Sequence, residues 1–380
     1  MTSPARLAIV IAFSGDGGVE RMVLNLAEGI AARGIEVDLV TIRQHGRHLR
    51  ELPAGVHLVP LGTRHTATSL PALVRYLRAR RPQALLVAKD RAIRMAVLAR
   101  ALAQLGRPAG SPRPRLVGRL GTTVSAALAE AGALRQAHWR WRMRAFYPHV
   151  DRLVAVSAGV AADVCALAAL PTAQVSVVHN PVVTPRLAAL GAAPAPHPWL
   201  QAATVPVVLG AGRLTAQKDF PTLLRAFAAL RARLPARLIV IGEGPQRAAL
   251  ETLARSLGVA DEVAMPGFAD NPYAYMRHAS LFVLSSRWEG SPNVLTEALA
   301  LGTPVVATDC PSGPAEILDG GRIAPLVPMQ DPAALAEAMA RVLAAPPAPA
   351  RLQAAVANYH VERSVEGYLQ ALQLTGPADR

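Results

Sequence analysis

Cysteine is almost missing from this chain: Cys165 and Cys310 are the only two in 380 residues. That excludes a disulfide framework and a metal site built from thiolates, and makes a cytosolic location the default. Lysine is as rare, with Lys89 and Lys218 set among 38 arginines. Aromatic residues make up 4%. No apolar run is long enough to span a bilayer, and no block of like charge or low-complexity tract points to disorder. The N-terminal "ARLAIVIAF" is short and runs into a glycine-rich turn, so it reads as a first strand rather than a signal peptide.

What is present is apolar residue, at 52%, in a chain long enough for two cores. The net charge of +14 is uneven. Residues 1–190 hold 25 Lys+Arg against 10 Asp+Glu, whereas residues 191–380 hold 15 against 16. A basic first half suits an anionic partner: a phosphorylated lipid, an anionic membrane surface or nucleic acid. Arginine bias in coding accounts for the scarcity of lysine but not for that asymmetry. The same scarcity singles out Lys89 and Lys218, each after a strand-like run, as places where a compact point charge is wanted.

Short apolar runs alternate with helix-length segments. "LAIVIAF", "EVDLVTI", "ALLVA", "RLVGR", "RLVAVS" and "VSVVHN" read as strands of one series, "VPVVLGAG", "RLIVIGEG", "LFVLSS" and "PVVATD" as those of a second. Repeated βα units imply parallel sheets covered by helices. Six prolines between Pro181 and Pro206 mark a linker. The expected architecture is therefore α/β with two doubly wound, Rossmann-like domains facing across a deep cleft. Residues 1–183 form the N-terminal domain, 184–203 the linker, and 204–350 the C-terminal domain. Residues 351–380 carry a separate helix that either domain, the N-terminal one included, could receive. Ligands of such sheets bind beyond the carboxyl ends of the strands.

Three stretches carry chemistry. The turn with Gly15, Gly17 and Gly18, between a strand and a helix, lets backbone approach a ligand at a positive dipole end. It lacks the G-x-G-x-x-G spacing of a dinucleotide fingerprint, and a plain turn is its alternative reading. In "GAGRLTAQKDF", Arg213 and Lys218 share the loop before a helix, a pair of cations suited to a diphosphate. In "SSRWEGSPNVLTEALALG", Gly290 and Pro292 break the chain between Glu289 and Glu297. Ser291 as N-cap and Pro292 as first residue predict a helix running to Gly302. Glu289 then lies in the loop and Glu297 in the second helical turn, both turned to one ligand. The amides of Asn293 and Val294 at the helix start suit phosphate, and the carboxylates suit sugar hydroxyls.

Together, "GGVER", "VSAGV", "VVHNPV", "GAGRLTAQKD", "IGEGP" and the E-x7-E element "EGSPNVLTE" resemble glycosyltransferase family 4, of the two-domain GT-B type. The order of these motifs covers most of the chain. "ALALGTPVVATDCPSGPAEIL" resembles members that build bacterial surface polysaccharide or lipopolysaccharide. The resemblance implies a retaining transfer of sugar from a nucleotide diphosphate sugar, uridine favoured over guanosine, to a glycolipid or lipid-linked oligosaccharide. Arg213, Lys218, Asn293 and Val294 would hold the diphosphate, and Glu297 the ribose. Glu289 would contact the donor sugar as the catalytic residue, and Gly17 and Gly18 would approach the donor from the other domain. No cofactor and no metal is implied, and no D-x-D motif is present. The chain departs from the family at "RLGTTVS", where Gly121 replaces the histidine of R-x-H-N-x-x-S. Arg119, Gly121, Lys89 and Arg91 are then the acceptor-side candidates.

"LRQAHWRWRMRAFYPHV" interleaves arginines with aromatic residues. Trp139, Met143 and Phe146 share a helical face suited to a core, leaving the arginines for the anionic inner face of a membrane. No nucleic-acid motif is present. The implied location is cytoplasmic, peripheral at the inner membrane. Two alternatives stay open: a GT-B scaffold that binds nucleotide sugar with little transfer, and a nucleotide-sugar epimerase.

Overall fold

A computed structural model of the chain describes residues 5–14, 17–45, 49, 52–63, 65–108, 110–129, 131–202 and 204–375. The chain divides into two compact units, residues 1–181 with 361–380, and residues 182–360. The first holds a seven-stranded sheet: β1 (Arg6–Ser14), β2 (Glu36–His45), β3 (Val56–Pro60), β4 (Ala84–Ala88), β5 (Arg115–Leu120), β6 (Arg152–Ala155) and β7 (Val175–Val177). Its order is β3-β2-β1-β4-β5-β6-β7, and every pairing is parallel. The second holds β8 (Val207–Ala211), β9 (Arg237–Ile241), β10 (Val263–Gly267), β11 (Leu281–Leu284), β12 (Val305–Thr308) and β13 (Leu326–Val327). These are parallel in the order β10-β9-β8-β11-β12-β13.

The winding reverses once in each sheet, at β1/β4 and at β8/β11. At such a reversal the loops after two neighbouring strands leave to opposite faces and open a crevice at the strand ends. The central strands are the near-continuous apolar runs of the sequence, buried along their length: every residue of "ALLVA" in β4 and "VVLGA" in β8 is buried. Each sheet is packed on both faces by helices, as parallel sheets require. Strands β3, β10 and β13 carry no such run, and all three are edges. An edge strand faces water along one side, so its sequence need not be uniformly apolar. In β3 only Val56 is buried, and His57, Leu58 and Pro60 are exposed.

The domain boundaries need correction. Residues 184–203, read as a linker, contain two helices in the described residues, Pro185–Gly191 and Pro198–Ala202, and belong to the second unit. The prolines open these helices instead of preventing them, because the first turn has no use for the missing N–H. Thr184 caps the first of them, its Oγ1 accepting from the Leu187 amide at 3.2 Å. Leu187 and Leu200 are buried in the second unit's core. The C-terminal stretch also divides. The Pro349–Ala355 helix packs in the second unit through Leu352, whereas the Val361–Leu372 helix packs in the first. Val365, Tyr368, Leu369 and Leu372 place the latter in the core beneath β4, β5 and β6.

Candidate active site

The second unit's crevice is built by the loops after β8 and β11. Leaving β8, the chain passes Gly212 and the exposed Arg213, then reaches Lys218 just before the Phe220–Arg231 helix. Leaving β11, it runs through Ser285 to Pro292 and opens the Asn293–Ala300 helix. Several hydrogen bonds stitch the loops together. Ser285 Oγ donates to the Lys218 carbonyl at 2.8 Å. Gln217 Nε2 donates to the Trp288 carbonyl at 2.9 Å, and the Arg287 amide to the Gln217 carbonyl at 2.8 Å.

At the centre stands an ion pair, Lys218 Nζ to Glu289 Oε1 at 2.5 Å. The two side chains are 16% and 8% exposed, so water screens the pair little. Ser286 Oγ donates to the same carboxylate oxygen at 2.7 Å. The family resemblance implies Lys218 on the diphosphate and Glu289 on the sugar. The structure brings the two into one charge-paired unit. Arg213 is exposed, with no carboxylate paired to it among the described residues. Cys310 lies close by: burial pushes its thiol up to about 12, with the Glu289 carboxylate adding to the shift and Lys218 opposing it.

The helix after Glu289 begins at Asn293, one residue later than the sequence suggests. Pro292 is the N-cap, with extended ψ of 99°, and its carbonyl accepts from the Leu295 and Thr296 amides at 3.0 and 3.3 Å. Ser291 therefore stands one place outside the helix and does not cap it. Asn293 and Val294 occupy the first turn, where backbone amides lie beyond the reach of intrahelical acceptors. Glu297 is 5% exposed, and Tyr273 Oη donates to its Oε1 at 3.4 Å. The helix ends at Ala300, with Gly302 in the left-handed region at φ 74°.

In the first unit the corresponding loops follow β1 and β4. Gly15 lies outside the described residues. Gly17 is the N-cap of the Gly18–Ala31 helix. Lys89, expected on the acceptor side, turns its ammonium onto protein: Nζ donates to the Ala12 carbonyl and to Glu20 Oε1, both at 3.0 Å. Arg91 is exposed on the helix that follows. Arg119 is 3% exposed at the end of β5, and its Nη2 donates to Asn180 Oδ1 at 2.7 Å. A Cβ on Gly121 would stand 2.7 Å from Arg119 Nη1, so the guanidinium lies against the space that a side chain at this position would need.

Sequence reasoning missed Glu20 and Ser286. Glu20 had a signal, as an acid three residues into a helix opened by glycine. Ser286 had none beyond its place at a strand end.

Two family models match the chain: "Glycosyltransferase Family 4" over residues 16–186 and "Glycosyl transferases group 1" over residues 205–345. An uncharacterized glycosyltransferase of Methanocaldococcus jannaschii is 42% identical over 113 residues, which is 30% of this chain and 28% of that one. The lipopolysaccharide core biosynthesis glycosyltransferase LpsE of Rhizobium meliloti is 27% identical over 379 residues, 95% of this chain and 97% of that one. Among solved structures, Anabaena HepE in complex with UDP and glucose shares the fold. Its TM-score is 0.75 at 16% identity, covering 97% of this chain and 99% of that one. The motif order, the two parallel sheets and these matches agree: the chain belongs to the family 4 glycosyltransferases and is a glycosyltransferase of the GT-B fold.

Proposed function

We propose that this glycosyltransferase moves a sugar, with retention at the anomeric carbon, from a uridine diphosphate sugar to a lipid-linked glycan or glycolipid in surface polysaccharide or lipopolysaccharide assembly. The observation that carries this reading is the charge-paired Lys218–Glu289 unit beside a helix start, followed by the buried Glu297. Such a site offers cations and amides to a diphosphate and carboxylates to hydroxyls. Arg213, Lys218 and the Asn293 and Val294 amides hold the diphosphate, Glu297 takes the ribose hydroxyls, and Glu289 takes a sugar hydroxyl. Gly17 and Gly18 are the donor contacts on the first unit. The bond from anomeric carbon to diphosphate oxygen breaks with its electrons leaving on the diphosphate. The acceptor hydroxyl oxygen bonds to that carbon, and its proton departs with the diphosphate. Cations and helix amides stabilise the leaving charge, and no metal ion is required. LpsE is named for lipopolysaccharide core biosynthesis, and HepE was solved with UDP and glucose, which supports the substrate classes.

Calorimetric titration with UDP, GDP and ADP tests this. UDP is expected to bind most tightly. Glu297→Ala is expected to weaken it about tenfold to a hundredfold, the worth of hydrogen bonds to a charged acceptor. Absence of binding by any of the three at millimolar concentration would refute the reading.

The acceptor class places the enzyme at an anionic membrane surface on the cytoplasmic side. No helix among the described residues is long and apolar enough to cross a membrane. The Ala133–Phe146 helix supports surface contact instead. Met143 is buried, and Trp139 and Phe146 pack partly into the core. Leu134 and Trp141 are 89% and 62% exposed, flanked by exposed Arg135, Arg140 and Arg144, and the helix has no acidic residue. The protein is expected to co-sediment with vesicles containing phosphatidylglycerol and not with phosphatidylcholine alone. Reversing Arg140 and Arg144 to Glu should weaken this by at least about tenfold, at ~1 kcal/mol per basic residue near the surface. Equal sedimentation with both lipids would refute it.

A further inference from the structure

The only two lysines of the chain make the same contact in different units. Lys89 follows β4 and Lys218 follows β8, each in a Lys-Asp pair at the start of a helix. Lys218 binds Glu289 across the β8/β11 reversal. Lys89 binds Glu20 across the β1/β4 reversal. Both glutamates are buried, at 6% and 4% exposure. The polarity is inverted: in the first unit the glutamate follows the earlier strand of the pair, β1, and the lysine the later one, β4, whereas in the second the lysine follows β8 and the glutamate β11.

The first pair is held tightly. Lys89 has φ of 79°, a backbone conformation that a side-chain-bearing residue adopts only at a cost in energy. Its ammonium takes two acceptors at once, the Ala12 carbonyl at the end of β1 and Glu20 Oε1. The other oxygen of Glu20 lies 2.7 Å from where a Cβ on Gly17 would stand, so the carboxylate packs directly under the glycine turn. An ammonium suits this geometry: it is a compact charge with three rotatable donors, whereas a guanidinium donates from a rigid plane.

We propose that Lys89 is a positioning residue, which through Glu20 and the Ala12 carbonyl fixes the turn at Gly17 and Gly18, the first unit's counterpart of the Lys218–Glu289 pair. The kinetic consequence rests on the donor reading of that turn given above; the mechanical one does not.

Hydrogen exchange on the full, ligand-free chain tests the clamp directly. Lys89→Met is expected to speed exchange across residues 17–23 by at least about tenfold, with residues 205–345 unchanged as the internal reference. Lys89→Arg should recover part of the protection. Should Lys89→Met fail to fold, Glu20→Gln, which keeps the volume and removes the charge, decides by the same readout. Wild-type exchange over residues 17–23 in these variants would overturn the proposal. In steady-state kinetics, Lys89→Met should raise the donor KM by at least about tenfold, with a smaller change in kcat. Faster exchange with an unchanged donor KM would leave the clamp standing and remove Gly17 and Gly18 from the donor contacts.

Discussion

Glu289→Gln is expected to lower kcat/KM at least about a hundredfold, with the fold retained but weakened. Glu289 Oε1 accepts from both Lys218 and Ser286, so its charge fixes Lys218, and in the function proposed above it also takes a sugar hydroxyl. A hydrogen bond to a charged group contributes about 1.5–3 kcal/mol, and the substitution weakens one to the substrate while releasing the lysine. At ~1.4 kcal/mol per tenfold, the two effects reach a hundredfold or more. Removing one partner of a buried pair also destabilises, by ~3–5 kcal/mol where desolvation is complete. Initial rates over a range of labelled donor, with thermal unfolding alongside, measure both. A variant within about threefold of wild type would show that this carboxylate is structural only.

The second large effect is expected at Gly242→Ala, in the "IGEGP" motif. Gly242 has φ of 132°, and a Cβ added to it would stand 2.0 Å from the Gly212 carbonyl oxygen. That oxygen belongs to backbone, so no side chain can turn aside. The Gly242 amide is also tied to the Gly267 carbonyl at 2.7 Å, and the Gly212 amide to the Ile241 carbonyl at 3.0 Å. Relief requires spreading β8 from β9 just below the Arg213 and Lys218 loop. The expected cost exceeds about 4 kcal/mol, in the range reserved for severe backbone conflict. Limited proteolysis and calorimetry of the whole chain should show the second unit opening at lower temperature. UDP binding should fall with it. An unfolding temperature within about 2 °C of wild type would contradict this.

Legibility in the sequence followed burial. Strands at the middle of each sheet are covered on both faces, so their apolar runs stand out, and "ALLVA" and "VVLGA" were found where they lie. Of the four edge strands, β3, β10 and β13 escaped because an edge strand is only partly covered and need not be apolar, whereas β7, equally an edge, was legible because "VSVV" happens to be an apolar run. The proline-rich segment misled for a related reason. Proline breaks a helix interior but fits its first turn, and which applies depends on neighbours such as Leu301, against which Gly191 packs. At the site, the break between Glu289 and Glu297 was readable from Gly290, Ser291 and Pro292, and the helix start moved by one residue.

Motif order, the break between the two glutamates and the oddity of two lysines among 38 arginines were determined by the sequence alone, because each is local or a count. Only the tertiary structure decided what those lysines touch. Glu20 is 69 residues from Lys89 and Glu289 is 71 from Lys218. Contacts at that separation arise where parallel winding reverses and carries the ends of two neighbouring strands side by side.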